Sequence, residues 1–136
     1  MNDHLQGSAD PVRRQSNAVE ALNATGHRLL SRDRFADAAC VYRAMLSFAP
    51  QDERGWLALG ACHEGLGQRE LAIQLYAAGR ALSRGGGRCD LARARLLRAL
   101  GHLEQAEEAV CRARRRALAT DDHELLALLR AEEAVS

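Results

Sequence analysis

The chain has 136 residues, of which 47% are hydrophobic and only 4% aromatic, and its formal net charge at pH 7 is +1. This length suits one domain, and the near-neutral charge gives no reason to expect a nucleic acid or an anionic membrane as partner. Ala, Leu, Arg and Glu dominate the composition, which predicts an all-α protein because these side chains lose little rotamer freedom in helices.

The N-terminal segment, residues 1–15, contains few apolar side chains and includes Gly7, Ser8, Asp10 and Pro11. Such a segment buries too little apolar surface to hold one conformation, so residues 1–15 are predicted to be flexible. The start also lacks the basic charge and apolar core of a signal peptide. No apolar run approaches the roughly 20 residues that span a bilayer. We therefore expect a cytoplasmic protein that does not bind membranes.

After this segment the sequence repeats itself three times without a gap. The three repeats are 19–52, 53–86 and 87–120, all of the same length. In this alignment Asp33, Gly67 and Gly101 share one position, and Ala38, Ala72 and Ala106 share another. An ordinary helical bundle also has apolar residues at helical spacing, but it has no reason to repeat turn residues and small residues at a fixed period. The repeats therefore predict a solenoid of helix pairs.

The second repeat matches the tetratricopeptide pattern most closely. It contains Trp56, Leu59 and Gly60, has His63 in the tyrosine position of the pattern, and has Tyr76 in the phenylalanine position. Small residues such as Gly60 let two helices cross closely, and Tyr76 fills the space toward the next pair. The predicted fold is a tetratricopeptide-repeat solenoid of three helix–turn–helix repeats, followed by a capping helix.

The capping helix is predicted over residues 121–135. Either Thr120 or Asp121 can cap its N-terminus. A terminal repeat cannot bury its apolar side alone, so a further helix must cover it. The residues expected to do so are Leu125, Leu126, Leu128 and Leu129. Residues 16–136 are then predicted to form a single domain.

No set of residues in the sequence has the spacing of a catalytic, nucleotide or metal site. The segment Gly85–Gly87 is not followed by the Lys and Ser or Thr of a phosphate-binding loop, and the four cysteines form no C-x-x-C pair. Four arginines lie close together, but no aromatic residues for base stacking lie between them. They are Arg112, Arg114, Arg115 and Arg116. We expect neither an enzyme, a cofactor, a metal nor a nucleic-acid partner.

Binding of a peptide is the activity that this architecture predicts. The first helix of each repeat lines the concave face of a solenoid, and positions 5, 9 and 12 of each repeat should point into it. These residues are Asn23, His27 and Leu30, then Leu57, Ala61 and Glu64, then Leu91, Arg95 and Arg98. Leu30, Leu57, Ala61 and Leu91 would form an apolar floor on which an extended peptide could place hydrophobic anchors. The alternative is that these are ordinary solvent-facing residues.

The repeats also resemble the class II chaperones of bacterial type III secretion, over residues 19 to about 118. In the second repeat the resemblance rests on the stretch from Arg54 to Cys62, continued by Leu66-Gly67 and Ala72-Ile73. In the third repeat it rests on the stretch from Cys89 to Leu97, followed by Leu100-Gly101 and Ala106-Glu107. It implies a cytoplasmic bacterial chaperone that holds a hydrophobic translocator protein before export. The client would be gripped through a short extended segment in the concave groove, and some members of the family also assist a transcription activator.

Two other functions remain open from the residues alone. A general tetratricopeptide scaffold for protein assembly would bind a folded or helical partner with the same repeats. A reader of acidic protein tails would depend on Arg95 and Arg98 and would be sensitive to salt. In each case the expected partner is a protein, and a homodimer is an open alternative.

Overall fold

The computed structural model describes residues 10–135, which form seven helices and no strand. The helices are α1 Pro11–Ser31, α2 Phe35–Phe48, α3 Glu53–Gly65, α4 Arg69–Leu82, α5 Gly87–Ala99, α6 Leu103–Ala119 and α7 His123–Val135. Each helix packs on its neighbours in the chain, and α1, α3, α5 and α7 also contact one another in succession. The predicted all-α solenoid of three helix pairs with a capping helix is confirmed.

The first helix begins earlier than the sequence pattern indicated. The Asp10 side chain accepts hydrogen bonds from the backbone N–H groups of Val12 at 3.0 Å and Arg13 at 3.4 Å. Pro11 occupies the first helical position, where its fixed φ suits a helix and its missing N–H costs nothing. The prediction of a flexible segment over residues 1–15 is therefore wrong for residues 11–15, which are helical. Its remaining part, residues 1–9, lies outside the described residues.

The turn inside each helix pair has the same geometry three times. Asp33, Gly67 and Gly101 have positive φ angles of 58°, 77° and 86°. The residue after each donates its backbone N–H to the carbonyl five residues earlier, at 3.0, 2.8 and 2.9 Å respectively. This is the left-handed helix ending that glycine adopts without steric cost and that aspartate tolerates. The turn residues predicted from the period therefore set how each second helix folds back on the first.

A small residue faces a larger one where the two helices of each pair cross. A Cβ atom added at Gly26 would lie 2.6 Å from the ring of Tyr42, and one added at Gly60 would lie 2.2 Å from the ring of Tyr76. Such distances are shorter than real Cβ contacts, so these crossings require glycine. The third repeat has a less extreme pair at the same positions, and both members are buried in one cluster. The facing pairs are Gly26 with Tyr42, Gly60 with Tyr76, and Ala94 with Val110.

The capping helix α7 closes the far end of the solenoid. Its Leu125 and Leu129 are each 2% exposed and pack into the core of the third repeat. The N-terminus is capped by Asp122, whose carboxylate accepts the backbone N–H of Leu125 at 3.0 Å. The prediction of Thr120 or Asp121 as the cap is therefore wrong. The Asp121 backbone has a φ of 56° and forms the turn, so the next residue is the one placed to cap.

Candidate peptide-binding groove

The first helices enclose two adjoining concavities on the inner face of the solenoid. The first, of about 290 Å³, is lined by Asn23, His27 and Leu30 of α1, Tyr42 of α2, and Arg54, Leu57, Ala58 and Ala61 of α3. The second, of about 420 Å³, is lined by Leu57, Ala61 and Glu64 of α3, Tyr76 of α4, and Ala92, Arg95, Leu96 and Ala99 of α5. Leu57 and Ala61 belong to both, so the two concavities form one continuous groove.

The second concavity is the first one displaced by a repeat. Leu57, Ala61 and Glu64 occupy the same repeat positions as Asn23, His27 and Leu30, and they line the second concavity as those residues line the first. Each concavity therefore lies between two successive first helices. A segment bound along the groove would meet similar backbone surroundings at each step but different side chains.

At the next step along the solenoid, the capping helix occupies the place of the groove. Leu91 is the counterpart of Leu57 in the third repeat, but it is only 2% exposed and belongs to a core cluster with Leu125 and Leu129 of α7. The prediction that Leu91 forms part of the groove floor is therefore wrong. The reason is that the capping helix α7 packs beside α5 as α5 packs beside α3. It therefore fills the place where a third concavity would otherwise lie.

The capping helix also engages the two arginines that were predicted to point into the groove. Glu132 of α7 lies 2.7 Å from Arg95 and 2.7 Å from Arg98, and its side chain is only 14% exposed. Arg95 still lines the second concavity, whereas Arg98 lines neither. Because one carboxylate binds both guanidinium groups, this end of the groove carries less free positive charge than the sequence indicated.

The two tyrosines of the groove differ in their hydrogen bonds. The Tyr76 hydroxyl donates to the carboxylate of Glu64, whereas the buried Tyr42 hydroxyl has no partner among the described residues. Leu30 stands in the first repeat where Glu64 stands in the second, and a leucine offers no acceptor. Burial raises the pKa of both tyrosines above the ordinary value, so both are protonated donors at neutral pH. The first concavity thus keeps an unused hydroxyl in its wall.

Arg54, at the edge of the first concavity, is neutralised by two carboxylates. Its guanidinium lies 2.6 Å from Glu20 and 2.8 Å from Asp52, and these hydrogen bonds raise its pKa further above the ordinary value. Glu20 lies on α1, so this pair also joins the first two repeats. The remaining lining of the first concavity is apolar apart from Asn23, His27 and the Tyr42 hydroxyl.

Several lining residues were missed by counting positions within single repeats. They are Tyr42, Arg54, Ala58, Tyr76, Ala92, Leu96 and Ala99. The signal for Ala58 and Ala92 was available, because both occupy position 6 of their repeats and face the preceding first helix. Counting inward positions alone finds part of each lining, but it omits the tyrosine from the second helix of the same repeat and several residues of the following first helix.

The described residues 10–135 contain no group of three or more His, Cys, Asp or Glu side chains that could hold a metal ion. His63, which is only 5% exposed, is instead held between Arg43 at 2.7 Å from Nε2 and Gln68 at 2.6 Å from Nδ1. Since a guanidinium can only donate, Nε2 accepts and Nδ1 donates to the Gln68 carbonyl oxygen.

No helix in the described range is long and apolar enough to cross a membrane.

The helix pairs and their continuous inner groove define a tetratricopeptide-repeat protein with a surface suited to peptides. Among solved structures, PcrH from Pseudomonas aeruginosa is 31% identical, with 88% of this chain and 93% of that one covered and a TM-score of 0.73. PcrH in complex with the chaperone binding region of PopB is 32% identical, with 85% and 94% covered and a TM-score of 0.72. The Yersinia enterocolitica type III secretion translocator chaperone SycD is 26% identical, with 85% and 90% covered and a TM-score of 0.70.

No protein-family model and no curated protein matches the chain. The identity to the PcrH structures and the coverage of both chains nevertheless place the protein in a family. The chain belongs to the type III secretion translocator chaperones. The resemblance that the second and third repeats indicated is thereby confirmed.

Proposed function

We propose that the protein is a cytoplasmic chaperone of a bacterial type III secretion system. It holds a hydrophobic, translocator-type client through an extended segment in the groove before the client is exported. The observation that carries this proposal is the continuity of the two concavities through their shared residues Leu57 and Ala61. The PcrH structure with the chaperone binding region of PopB supports it, since that relative binds a segment of another protein.

The lining of the groove favours an extended segment over a folded partner. Leu30, Leu57 and Ala92 are half-buried and offer apolar surface at successive points, where hydrophobic side chains of a client can be buried. An extended client has unpaired backbone N–H and C=O groups, and these need polar partners when they leave water. Asn23 and His27 supply such partners beside the apolar surface.

The two alternatives gain less support from the structure. An acidic-tail reader needs free arginines, but Arg95 and Arg98 already share the carboxylate of Glu132. A general scaffold would use the same repeats, but no feature of the groove favours a folded partner. The relatives are chaperones rather than enzymes, and we infer that this chain acts by binding alone.

Substitution of Leu57 by Glu tests the groove. Leu57 is half-buried and contacts both concavities, so a carboxylate there would have to be desolvated whenever a client docks. We expect the affinity for its translocator client to fall at least tenfold, which corresponds to about 1.4 kcal/mol. Calorimetric titration of the purified pair measures this change.

The matched control is Leu118→Glu, because Leu118 is 62% exposed on α6 and lines neither concavity. Circular dichroism should show that both variants remain helical. If Leu118→Glu weakens client binding while Leu57→Glu does not, the client binds on another face of the solenoid and the groove proposal fails.

A further inference from the structure

Four positions at the junction between the second and third repeats carry charged residues where the preceding junction has apolar ones. The charged residues are Arg80, Asp90, Arg93 and Arg112. Their counterparts one repeat earlier are Leu46, Trp56, Leu59 and Ala78. At the earlier junction Leu46 and Leu59 are buried in one core cluster and Trp56 packs against it. The same place in the fold is therefore filled by apolar side chains at the first junction and by charged side chains at the second.

The carboxylate at the centre of this cluster is poorly bonded to the arginines around it. Asp90 is 3% exposed, and its Oδ1 atom lies 3.7 Å from the Nε atoms of both Arg80 and Arg112. Neither approach is a hydrogen bond, and the Asp90 Oδ1 and the Nε atoms of Arg93 and Arg112 are buried without a partner in the described chain. Burial raises the pKa of Asp90 even though three arginines surround it.

Positive charge exceeds negative charge in the cluster. Three guanidinium groups face one carboxylate, and the next acidic side chain, Glu108, acts on Arg93 only from beyond ion-pair distance. Burial and the nearby Arg112 together lower the pKa of Arg93. At least one guanidinium charge is thus left without a counter-ion, in contrast to Arg54, which has two carboxylates of its own.

Two of the arginines reach solvent although the centre of the cluster is closed. The side chains of Arg80 and Arg112 are 40% and 33% exposed, so a group that arrives from solution can contact them. Arg80 lies on α4 and Arg112 on α6, and none of the four charged residues lines the groove. A group bound here would therefore leave the groove free for a client.

We propose that Arg80, Arg93 and Arg112 form a binding site for one oxyanion at the junction of the second and third repeats. Guanidinium groups suit phosphate, sulfate and carboxylate oxygens because their planar N–H pairs form charge-assisted hydrogen bonds with them. The anion supplies the missing negative charge and accepts hydrogen bonds from those guanidinium nitrogens that it can reach from solvent. It is either a small ion from the cytosol or an acidic side chain of a bound protein, and the chemistry of recognition is the same.

Thermal melting of the intact protein in sodium phosphate and in sodium chloride of equal ionic strength tests the site. We expect phosphate to raise the melting temperature by on the order of 4 °C through mass action on the folded state. In Arg93→Leu, which places the second repeat's residue at this position, the difference between the two salts should vanish. Arg112→Ala serves as a second variant in case Arg93→Leu does not fold.

The control is Arg69→Leu, because Arg69 is exposed at the start of α4 and has no ion pair in the described part of the chain. It should keep the full effect of phosphate. A titration with a hexaglutamate peptide distinguishes the two sources. If the parent protein binds the peptide but not phosphate, and Arg93→Leu no longer binds the peptide, the site is assigned to a protein carboxylate. The proposal is overturned if neither ligand acts on the parent protein, or if Arg93→Leu and Arg69→Leu respond alike.

Discussion

The junction between repeats one and two is closed by apolar side chains, whereas the junction between repeats two and three holds a buried carboxylate and three arginines. At the first junction Leu59 is 3% exposed and Leu46 8%, and both belong to the core. At the second, Asp90 is equally buried but has no hydrogen bond at its Oδ1 atom. The helices are nevertheless arranged in the same way. The turns and crossings that repeat along the chain fix the backbone, so the junction side chains are free to differ.

The helix crossings inside the repeats show the same contrast on a smaller scale. Gly60 faces Tyr76 in repeat two, whereas Ala94 and Val110 occupy these positions in repeat three. Each combination joins a smaller residue to a larger one. From repeat two to repeat three, glycine is replaced by the larger alanine and tyrosine by the smaller valine. The total volume at the crossing decides whether the helices can approach, and several pairs of residues satisfy it.

The largest expected effect comes from exchanging the character of the two junctions. Leu59→Arg would bury a guanidinium with no carboxylate beside it, and we expect it to lower the free energy of unfolding by about 4 kcal/mol. The reverse exchange, Arg93→Leu, removes a charge that is already poorly compensated and should be neutral or stabilising by about 1 kcal/mol. Urea denaturation of both variants measures the asymmetry. Equal losses would mean that the ionic junction is as well bonded as the apolar one.

A double-mutant cycle at the crossing of repeat two should give the next largest effect. A Cβ atom at Gly60 would lie 2.2 Å from the ring of Tyr76, so Gly60→Ala should cost about 1–3 kcal/mol through overpacking. In Gly60→Ala/Tyr76→Val the pair becomes that of repeat three, and the two changes should compensate each other by about 1 kcal/mol. Chemical denaturation of the two single variants and the double variant provides the cycle. Strictly additive losses would show that the two residues do not share one packing volume.

The smallest effect concerns the reactivity of the four cysteines. Cys40 and Cys111 are exposed, whereas Cys62 and Cys89 are buried, and burial raises the pKa of Cys62 to about 11. We expect two thiols to react rapidly with a thiol reagent in the native protein and two to react only on opening.

The order in which the buried thiols react then compares the two junctions. Cys89 packs between repeats two and three, and Cys62 lies in the core of repeats one and two. In a Cys40→Ser/Cys111→Ser background at low urea, Cys89 should be labelled before Cys62, because the junction with unpaired charges opens more readily. Mass spectrometry of the labelled peptides identifies the order. Earlier labelling of Cys62 would mean that the apolar junction between repeats one and two opens more readily than the ionic one.

The sequence predicted the elements of the fold well because a fixed, gap-free period constrains every repeat at once. The turn residues Gly67 and Gly101 have a local physical reason in their positive φ angles, and the crossing pair Gly60 and Tyr76 lies within one repeat. The start of α1 was harder to predict, since the cap formed by Asp10 and Pro11 precedes the first repeat and has no copy to compare with.

The groove was predicted only in part, for the opposite reason. The placement of Asn23, His27 and Leu57 follows from their position on the first helices. Whether such a position is open or covered depends on the next helix in the stack, and Leu91 is covered because α7 follows it. Similarly, Arg95 is paired rather than free because of Glu132, which lies on a different helix far along the chain.

The sequence by itself determined the helix pairs, their turns and the family of this protein, since these depend on residues close together in the chain and on their repetition. Only the tertiary structure decided where the groove ends and which charges remain unpaired. Burial and ion pairing are properties of surfaces that meet across repeats. The capping helix buries Leu91, and the Asp90 carboxylate lies between Arg80 and Arg112. Both contacts form only when surfaces distant in the chain come together.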